Sequence, residues 1–350
     1  MKILFVLKNR TYNKEYATSF GLMNSAIQVS NHLNHKGHES KVVSVIDYNF
    51  IDKEVHSYKP DIVVIEALWV SSKKMKELIE LKRYKNINWV IRIHSDIGFL
   101  SAETNALTYI NEYVSLKKDN LFISINNKEF CENLSNIYGE SFLYLPNIID
   151  IKSEYKKPRN NYLTINIGCF GALRLLKNQL FQAMCAMEFA DSINKTLFYH
   201  INCNVSPEKE NSILKNLTAL FDKNASGHKL VVHKWLNNDD FHQLVRSMDF
   251  GLQLSYTESF NITAADFVMN DTPIIVSEAI SWLPWFNKTS TTNYKRVLSK
   301  LKWIYRFKNS KIMAFLNKRN LKKYNKEAKL VWKDYLKYIE YNKNDNSLNA

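Results

Sequence analysis

Twice along this chain, short runs of apolar residues alternate with segments of helical period, and one polar stretch divides the two series. That alternation limits the fold more than any other feature. Ile3–Leu7 is an apolar run too short for a helix and reads as a buried strand. Leu22, Ala26, Val29 and Leu33 then share one helical face, and Gly37 sits where a helix C-terminal glycine belongs. Lys41–Val45, Asp61–Ile65, Trp89–Ile93 and Leu121–Ile125 read as further strands. Helices around Lys73–Lys82, Asn105–Ser115 and Lys128–Ile137 separate the later ones. Strands joined through helices imply a parallel sheet with helices on both faces.

Phe142–Leu145 is strand-like and ends at Pro146-Asn147. Residues 151–161 are polar, contain Pro158 and have no apolar period, so they read as a linker. The pattern then restarts, with strands at Ile165–Phe170, Leu197–Ile201, Leu230–His233, Phe250–Leu254 and Ile274–Val276 and helical segments between them. The expected organisation is an α/β domain at 1–150, the linker at 151–161, a second α/β domain at 162–294 and a helical segment at 295–350. Two such domains in series would leave a large cleft between them. A length of 350 residues suits two cores.

Composition removes several function classes. Hydrophobic residues at 45% and charged ones at 23% describe a globular chain rather than a disordered one. No stretch approaches eighteen apolar residues, and the N-terminal run is too short for a signal segment, so the expected location is the cytoplasm. Cys131, Cys169, Cys185 and Cys203 have no CxxC spacing and no histidine at zinc-ligand distance, so no metal is expected. Neither a GxGxxG nor a GxxxxGK[ST] motif is present, which argues against dinucleotide and P-loop chemistry. The net charge of +14 is unevenly placed: residues 1–150 carry 18 basic and 17 acidic residues, whereas 295–350 carry 16 and 4. That tail is either a solvated helix face or a surface for a polyanion, nucleic acid or an anionic membrane. Its candidate contacts are Lys318, Arg319, Lys322 and Lys323.

The most informative segment is Ser255–Ser277, SYTESFNITAADFVMNDTPIIVS. A strand ends in a polar loop carrying Glu258, a helix opens near Phe260, and Asp266 follows eight residues after Glu258. A carboxylate at the C-terminal end of a parallel strand faces the ligand crevice of its sheet. The backbone amides around Ser259, Phe260, Asn261 and Ile262, at a helix start, form an anion site. Eight residues is about two helical turns, which predicts Asp266 near the same side as Glu258. Earlier, Gly168–Asn178 (GCFGALRLLKN) places Arg174 and Lys177 just after a strand. Their alternative reading is two solvated loop residues.

These two segments resemble GT-B glycosyltransferases of the family 4 type, whose signature is commonly written ESFG…EAMACGTPVI. Here it reads Glu258-Ser-Phe-Asn…Asp266…Asn270-Asp-Thr-Pro-Ile-Ile, with Asp266 for the second Glu and Asn261 for the usual glycine. The resemblance implies a GT-B architecture: two Rossmann-like domains facing a central cleft, with C-terminal helices. It implies a retaining, metal-independent hexosyl- or pentosyltransferase, with a nucleoside-diphosphate sugar as co-substrate and no bound cofactor. Arg174 and Lys177 would clamp the diphosphate, Glu258 orient the sugar and Asp266 hold the ribose. Arg92-Ile-His94 resembles the family's histidine after the fourth strand, so His94 would bond a sugar hydroxyl or the reacting oxygens. A satisfied structural histidine is the alternative. Gly21 would mark what remains of an acceptor loop, and Tyr144-Leu-Pro-Asn147 resembles the PN before the linker. The N-terminal run GLMNSAIQVSNHLN…VVIEALWV…WVIRIHS is also similar to bacteriophage-encoded members. The acceptor expected on that basis is a hydroxymethylated base in DNA. Cell-envelope glycans or lipid-linked acceptors at a membrane surface are one alternative, and a non-catalytic nucleic-acid-binding protein of the same shape is another.

Overall fold

The computed structural model describes residues 1–9, 20–116, 118–151, 163–203 and 212–348. The expected linker lies outside the described residues, apart from Ile151. Two compact units emerge, one of residues 1–150 and 324–350, the other of residues 151–323.

The first unit contains β1 (Lys2–Lys8), α1 (Phe20–His35), β2 (Glu39–Val45), α2 (Asn49–Tyr58), β3 (Ile62–Glu66), α3 (Ser72–Ile79), β4 (Asn88–Ile93), α4 (Ile97–Leu100), α5 (Ala106–Leu116), β5 (Leu121–Ile125), α6 (Lys128–Tyr138) and β6 (Leu143–Tyr144). All strand pairs are parallel, in the order β2-β1-β3-β4-β5-β6. Burial on both faces explains the unbroken apolar strands: every residue of β3 is buried, including its last, Glu66. The helix α2 carries too little pattern to be read from sequence, because only Ile51 and Val55 face the core.

The second unit contains β7 (Thr164–Gly168), α7 (Gln179–Ser192), β8 (Thr196–Asn202), α8 (Ser212–Asp222), β9 (Lys229–His233), α9 (Asn238–Ser247), β10 (Phe250–Gln253), α10 (Ile262–Met269), β11 (Ile274–Val276) and α11 (Tyr294–Phe307). Its strands are parallel, in the order β11-β10-β7-β8-β9. The chain runs outward from β7 to β9 on one side, then resumes at β10 on the other. The switch point therefore lies between the C-terminal ends of β7 and β10, where ligands of open α/β sheets bind. Two glycines bring α10 down onto that place. A Cβ on Gly168 would fall 2.9 Å from the Phe267 ring, and one on Gly251 would fall 2.6 Å from it. Bare backbone at both strands lets Phe267 seat its helix flat on the sheet.

A single helix, α12 (Lys311–Leu348), closes the chain, and the division between the units falls inside it. Its end is helical to Leu348, although the last eight residues, Lys343–Ala350, read as frayed in sequence. Ala328, Trp332, Tyr335, Leu336 and Ile339 form a buried stripe packed with Phe5, Val29 and Val64 of the first unit. The tail's aromatics divide: Trp332 is buried 6.0 Å from Phe5 and the partly buried Tyr305 packs 5.7 Å from Phe189, whereas Phe307, Phe315, Tyr338 and Tyr341 are exposed.

Candidate active site

The loops after β7 and β10 are stitched together by side-chain amides. Gln182 accepts from the Leu254 amide at 2.9 Å and donates to the Lys177 carbonyl at 2.7 Å. Asn178, in the left-handed region at φ 59°, donates to the carbonyls of Leu254 and Thr291. The Tyr256 amide donates to the Leu176 carbonyl at 2.9 Å. This lacing aims Lys177, which closes the 3-10 turn Leu175–Lys177, at Glu258, and the two form a hydrogen-bonded ion pair. Glu258 is 6% exposed and Lys177 19%, so the pair opens to solvent on the lysine side. Arg174 precedes the turn and is exposed.

Asn261 holds this arrangement to α10. Its backbone is left-handed at φ 67°, which explains an asparagine where the resembling family has glycine, since asparagine tolerates that conformation best among the side-chain-bearing residues. Its side-chain oxygen caps the Ala264 amide at 2.8 Å, while its Nδ2 donates to Glu258 and to Gln253, each at 2.9 Å. The amides of Ile262 and Thr263 make no hydrogen bond among the described residues, which leaves two helix-start donors for an anion. Gly171 passes the same helix start, its notional Cβ 4.0 Å from Thr263 Oγ1. Ser259 and Phe260 lie between the acid and the cap, Phe260 buried and stacked on Trp282 at 5.4 Å.

The helical relation expected between Glu258 and Asp266 does not hold, because α10 begins only at Ile262. Glu258 lies in the loop, three residues before the cap, so helical period does not connect the two. Asp266 is buried inside α10, with its Oδ1 4.0 Å from His242 Nε2 of α9. Burial pushes its carboxyl up to about 8.

At the C-terminal ends of β3 and β4 in the first unit stands a second cluster. Glu66 and Arg92 are register partners, and both side chains are wholly buried. Arg92 donates to Glu66 at 3.0 and 3.3 Å, to the carbonyls of Leu145 and Pro146, each at 3.0 Å, and to Asn147 Oδ1 at 2.8 Å. These bonds occupy the whole guanidinium fork. Asn147 also accepts from Ser25 Oγ of α1 at 2.6 Å, and the Pro146 carbonyl accepts from Trp332. The Pro-Asn turn is thus the joint at which Arg92, α1 and α12 meet. Burial alone would raise the Glu66 carboxyl, but Arg92 and then His94 outweigh it and hold it below the usual range. His94 Nε2 contacts Glu66, and burial keeps the imidazole neutral because Arg92 already balances that carboxylate. Nε2 is then the donor, and Nδ1 receives Asn126 Nδ2 at 3.4 Å. Gly21 lies in the first turn of α1, half-buried. Sequence reasoning passed over Glu66, although an acid ending the apolar run Ile62–Ile65 was a visible signal.

The tail cations differ among themselves. Lys318 pairs with Asp271 at 2.6 Å, whereas Arg319, Lys322 and Lys323 are exposed. Among the described residues no helix is long and apolar enough to cross a membrane.

No protein-family model matches the chain, and no curated protein matches it by sequence. Solved structures do match. Sucrose-phosphate synthase from Thermosynechococcus elongatus superposes with a TM-score of 0.72 at 9% identity, covering 97% of this chain and 100% of the other. An alpha-glucosyltransferase in complex with UDP and a 13-mer DNA superposes at 0.63, with 14% identity and 97% and 99% coverage. These are GT-B proteins. The chain has the GT-B fold. TarM of S. aureus shares it at a TM-score of 0.62 and 12% identity over 83% of this chain, which spans 58% of the TarM chain. Identities this low establish the GT-B architecture alone, and the chemistry must be argued from the residues.

Proposed function

We propose that this GT-B protein is a retaining glycosyltransferase that moves a hexosyl or pentosyl group from a nucleoside-diphosphate sugar to a hydroxyl acceptor. The observation that carries the reading is the Lys177–Glu258 pair at the switch point, beside two unfilled amides at the start of α10. In this reading the donor diphosphate lies against the Ile262 and Thr263 amides and draws the Lys177 ammonium to itself, with Arg174 adding a second cation. Glu258, freed from the lysine but still held by Asn261, accepts from a hydroxyl of the sugar. Asp266 takes the ribose, and with its carboxyl raised by burial it acts partly as a proton donor near neutral pH.

The bond between the anomeric carbon and the diphosphate oxygen breaks, and the electron pair leaves with the diphosphate. Lys177 and the helix start stabilise that charge as it develops. The acceptor oxygen bonds the anomeric carbon from the same face, and its proton passes to the departing phosphate oxygen. In this reading His94, neutral and held by Glu66 through Nε2, exchanges the long 3.4 Å Asn126 contact at Nδ1 for the acceptor's hydroxyl. No step of this reading is routed through a metal, so activity should survive EDTA.

The acceptor we favour is a hydroxymethylated base in DNA. Exposed Arg319, Lys322 and Lys323 supply phosphate contacts, and a fold relative binds DNA and UDP together. Such a base would have to leave the duplex stack to meet a donor. A mass-spectrometric screen of donor sugars against hydroxymethylated DNA tests the reading. Transfer should be seen with the anomeric configuration kept, and should vanish in Glu258→Gln while UDP still binds. Asp266→Ala should instead weaken UDP. Absence of donor cleavage with every sugar nucleotide would overturn the enzyme assignment.

A further inference from the structure

A second concavity opens at the same end of the second unit's sheet, beyond β10. It encloses about 790 Å³ and is lined by the residues following β10 and β11 and by one side of α11. None of Arg174, Lys177, Glu258 or Asp266 lines it. That volume is in the range of ligand-binding pockets.

Its chemistry is cationic and aromatic. Lys288, Arg296 and Lys300 face one carboxylate, Glu278, which stands 3.8 Å from Lys288. Arg296 has no ion pair among the described residues. Lys300 donates to the Phe286 carbonyl at 3.0 Å and lies 5.0 Å from the Trp303 ring centre. Burial pulls its ammonium below the ordinary lysine value, a deficit that an anion in the pocket would offset. On the floor, Ser255 and Ser277, which follow β10 and β11, carry hydroxyls that are buried and find no partner among the described residues. Two buried hydroxyls left unmade are costly unless something enters to bond them. At the rim, Trp285 is 78% exposed, an unusual placement for so large an apolar ring.

We infer that this pocket binds a nucleoside phosphate, either free or as one unit of a polynucleotide, at a site separate from the donor site. Arg296, Lys300 and Lys288 hold the phosphate, the serine hydroxyls bond its oxygens directly or through water, and Trp285 stacks on the base. An anionic membrane would also attract these residue types. A membrane, however, takes a protruding apolar face rather than a polar-floored concavity.

Calorimetric titration of the full chain with thymidine 5′-monophosphate and with a twelve-residue oligothymidylate tests this. One site should fill, Arg296→Ala and Trp285→Ala should each weaken it roughly tenfold or more, and Lys177→Ala should leave it unchanged. Tighter, salt-dependent binding of the oligonucleotide identifies the polynucleotide as the source, and equal or tighter binding of the mononucleotide identifies the free nucleotide. Three outcomes would overturn the inference. The first is no binding of either probe by the parent. The second is binding that Lys177→Ala abolishes, since that would be the donor site. The third is Trp285-dependent binding to phosphatidylglycerol vesicles without binding to either nucleotide probe.

Discussion

Each sheet of this protein ends in a buried carboxylate held by a cation, yet the Arg92–Glu66 and Lys177–Glu258 pairs differ in what surrounds them. Arg92 is sealed at 0% exposure, its fork spent on Glu66, two carbonyls and Asn147. Lys177 pairs with Glu258 from a half-buried position, beside helix amides that make no hydrogen bond among the described residues. A sealed pair has no capacity left for a ligand and serves to position what it touches, here His94 and the Pro146-Asn147 turn. An open pair can exchange its internal partner for a substrate phosphate. Burial and remaining hydrogen-bond capacity, rather than residue type, separate the sealed pair from the one we propose meets the donor.

The largest expected effect tests the sealed side. Arg92→Leu leaves Glu66 buried without its partner and should destabilise the protein by about 3–5 kcal/mol, read as a lower midpoint in denaturant. Arg92→Leu combined with Glu66→Leu should recover only part of this, because the Leu145 carbonyl loses its Arg92 donor and the Pro146 carbonyl keeps only Trp332. Full recovery would mean that the backbone contacts contribute little. Lys177→Ala should behave oppositely, lowering kcat/KM by roughly 10²-fold or more with little change in stability, since Asn261 still donates to Glu258. A loss of stability as large as that of Arg92→Leu would erase the distinction.

Asp266 sharpens the comparison, being a buried acid with His242 4.0 Å away and no lysine or arginine ion pair among the described residues. Its folded value of about 8 lies above the ordinary 3.8, so the native state keeps a proton that the unfolded chain releases. The resulting stabilisation is complete below about pH 4 and is lost as pH rises through about 8. Asp266→Asn, which mimics the protonated acid, should match the parent in melting temperature only below about pH 4 and exceed it by a margin that grows up to about pH 9. Equal melting curves throughout would show that His242 keeps the carboxylate charged. The smallest structural effect belongs to Arg319→Glu, Lys322→Glu and Lys323→Glu together. Stability should move by less than about 1 kcal/mol, while the log–log salt slope for DNA should fall by about 0.9 for each phosphate that the variant no longer neutralises. An unchanged slope would make that surface a solvated face.

The loop around Glu258 was legible as a carboxylate after a strand and by its resemblance to a known motif, whereas the seating of Phe267 on Gly168 and Gly251 and the left-handed turn at Asn261 came from the structure. Glu66 was legible only as an oddity, an acid closing an apolar strand. Its partner lies 26 residues away and is chosen by the pairing of β3 with β4, which no local pattern encodes.

The alternation of strands and helices, the parallel sheets and the basic tail were determined by sequence alone, because apolar period records which faces are buried and charge is additive along a chain. Partnership was left to the tertiary structure. It decided that Lys318 is tied to Asp271 while its neighbours are exposed, that Asp266 faces His242, and that Trp332 carries the last helix onto the first sheet. Burial is a property of one residue and repeats with the geometry of its element. A contact belongs to two residues, and strand register and helix seating alone bring them together.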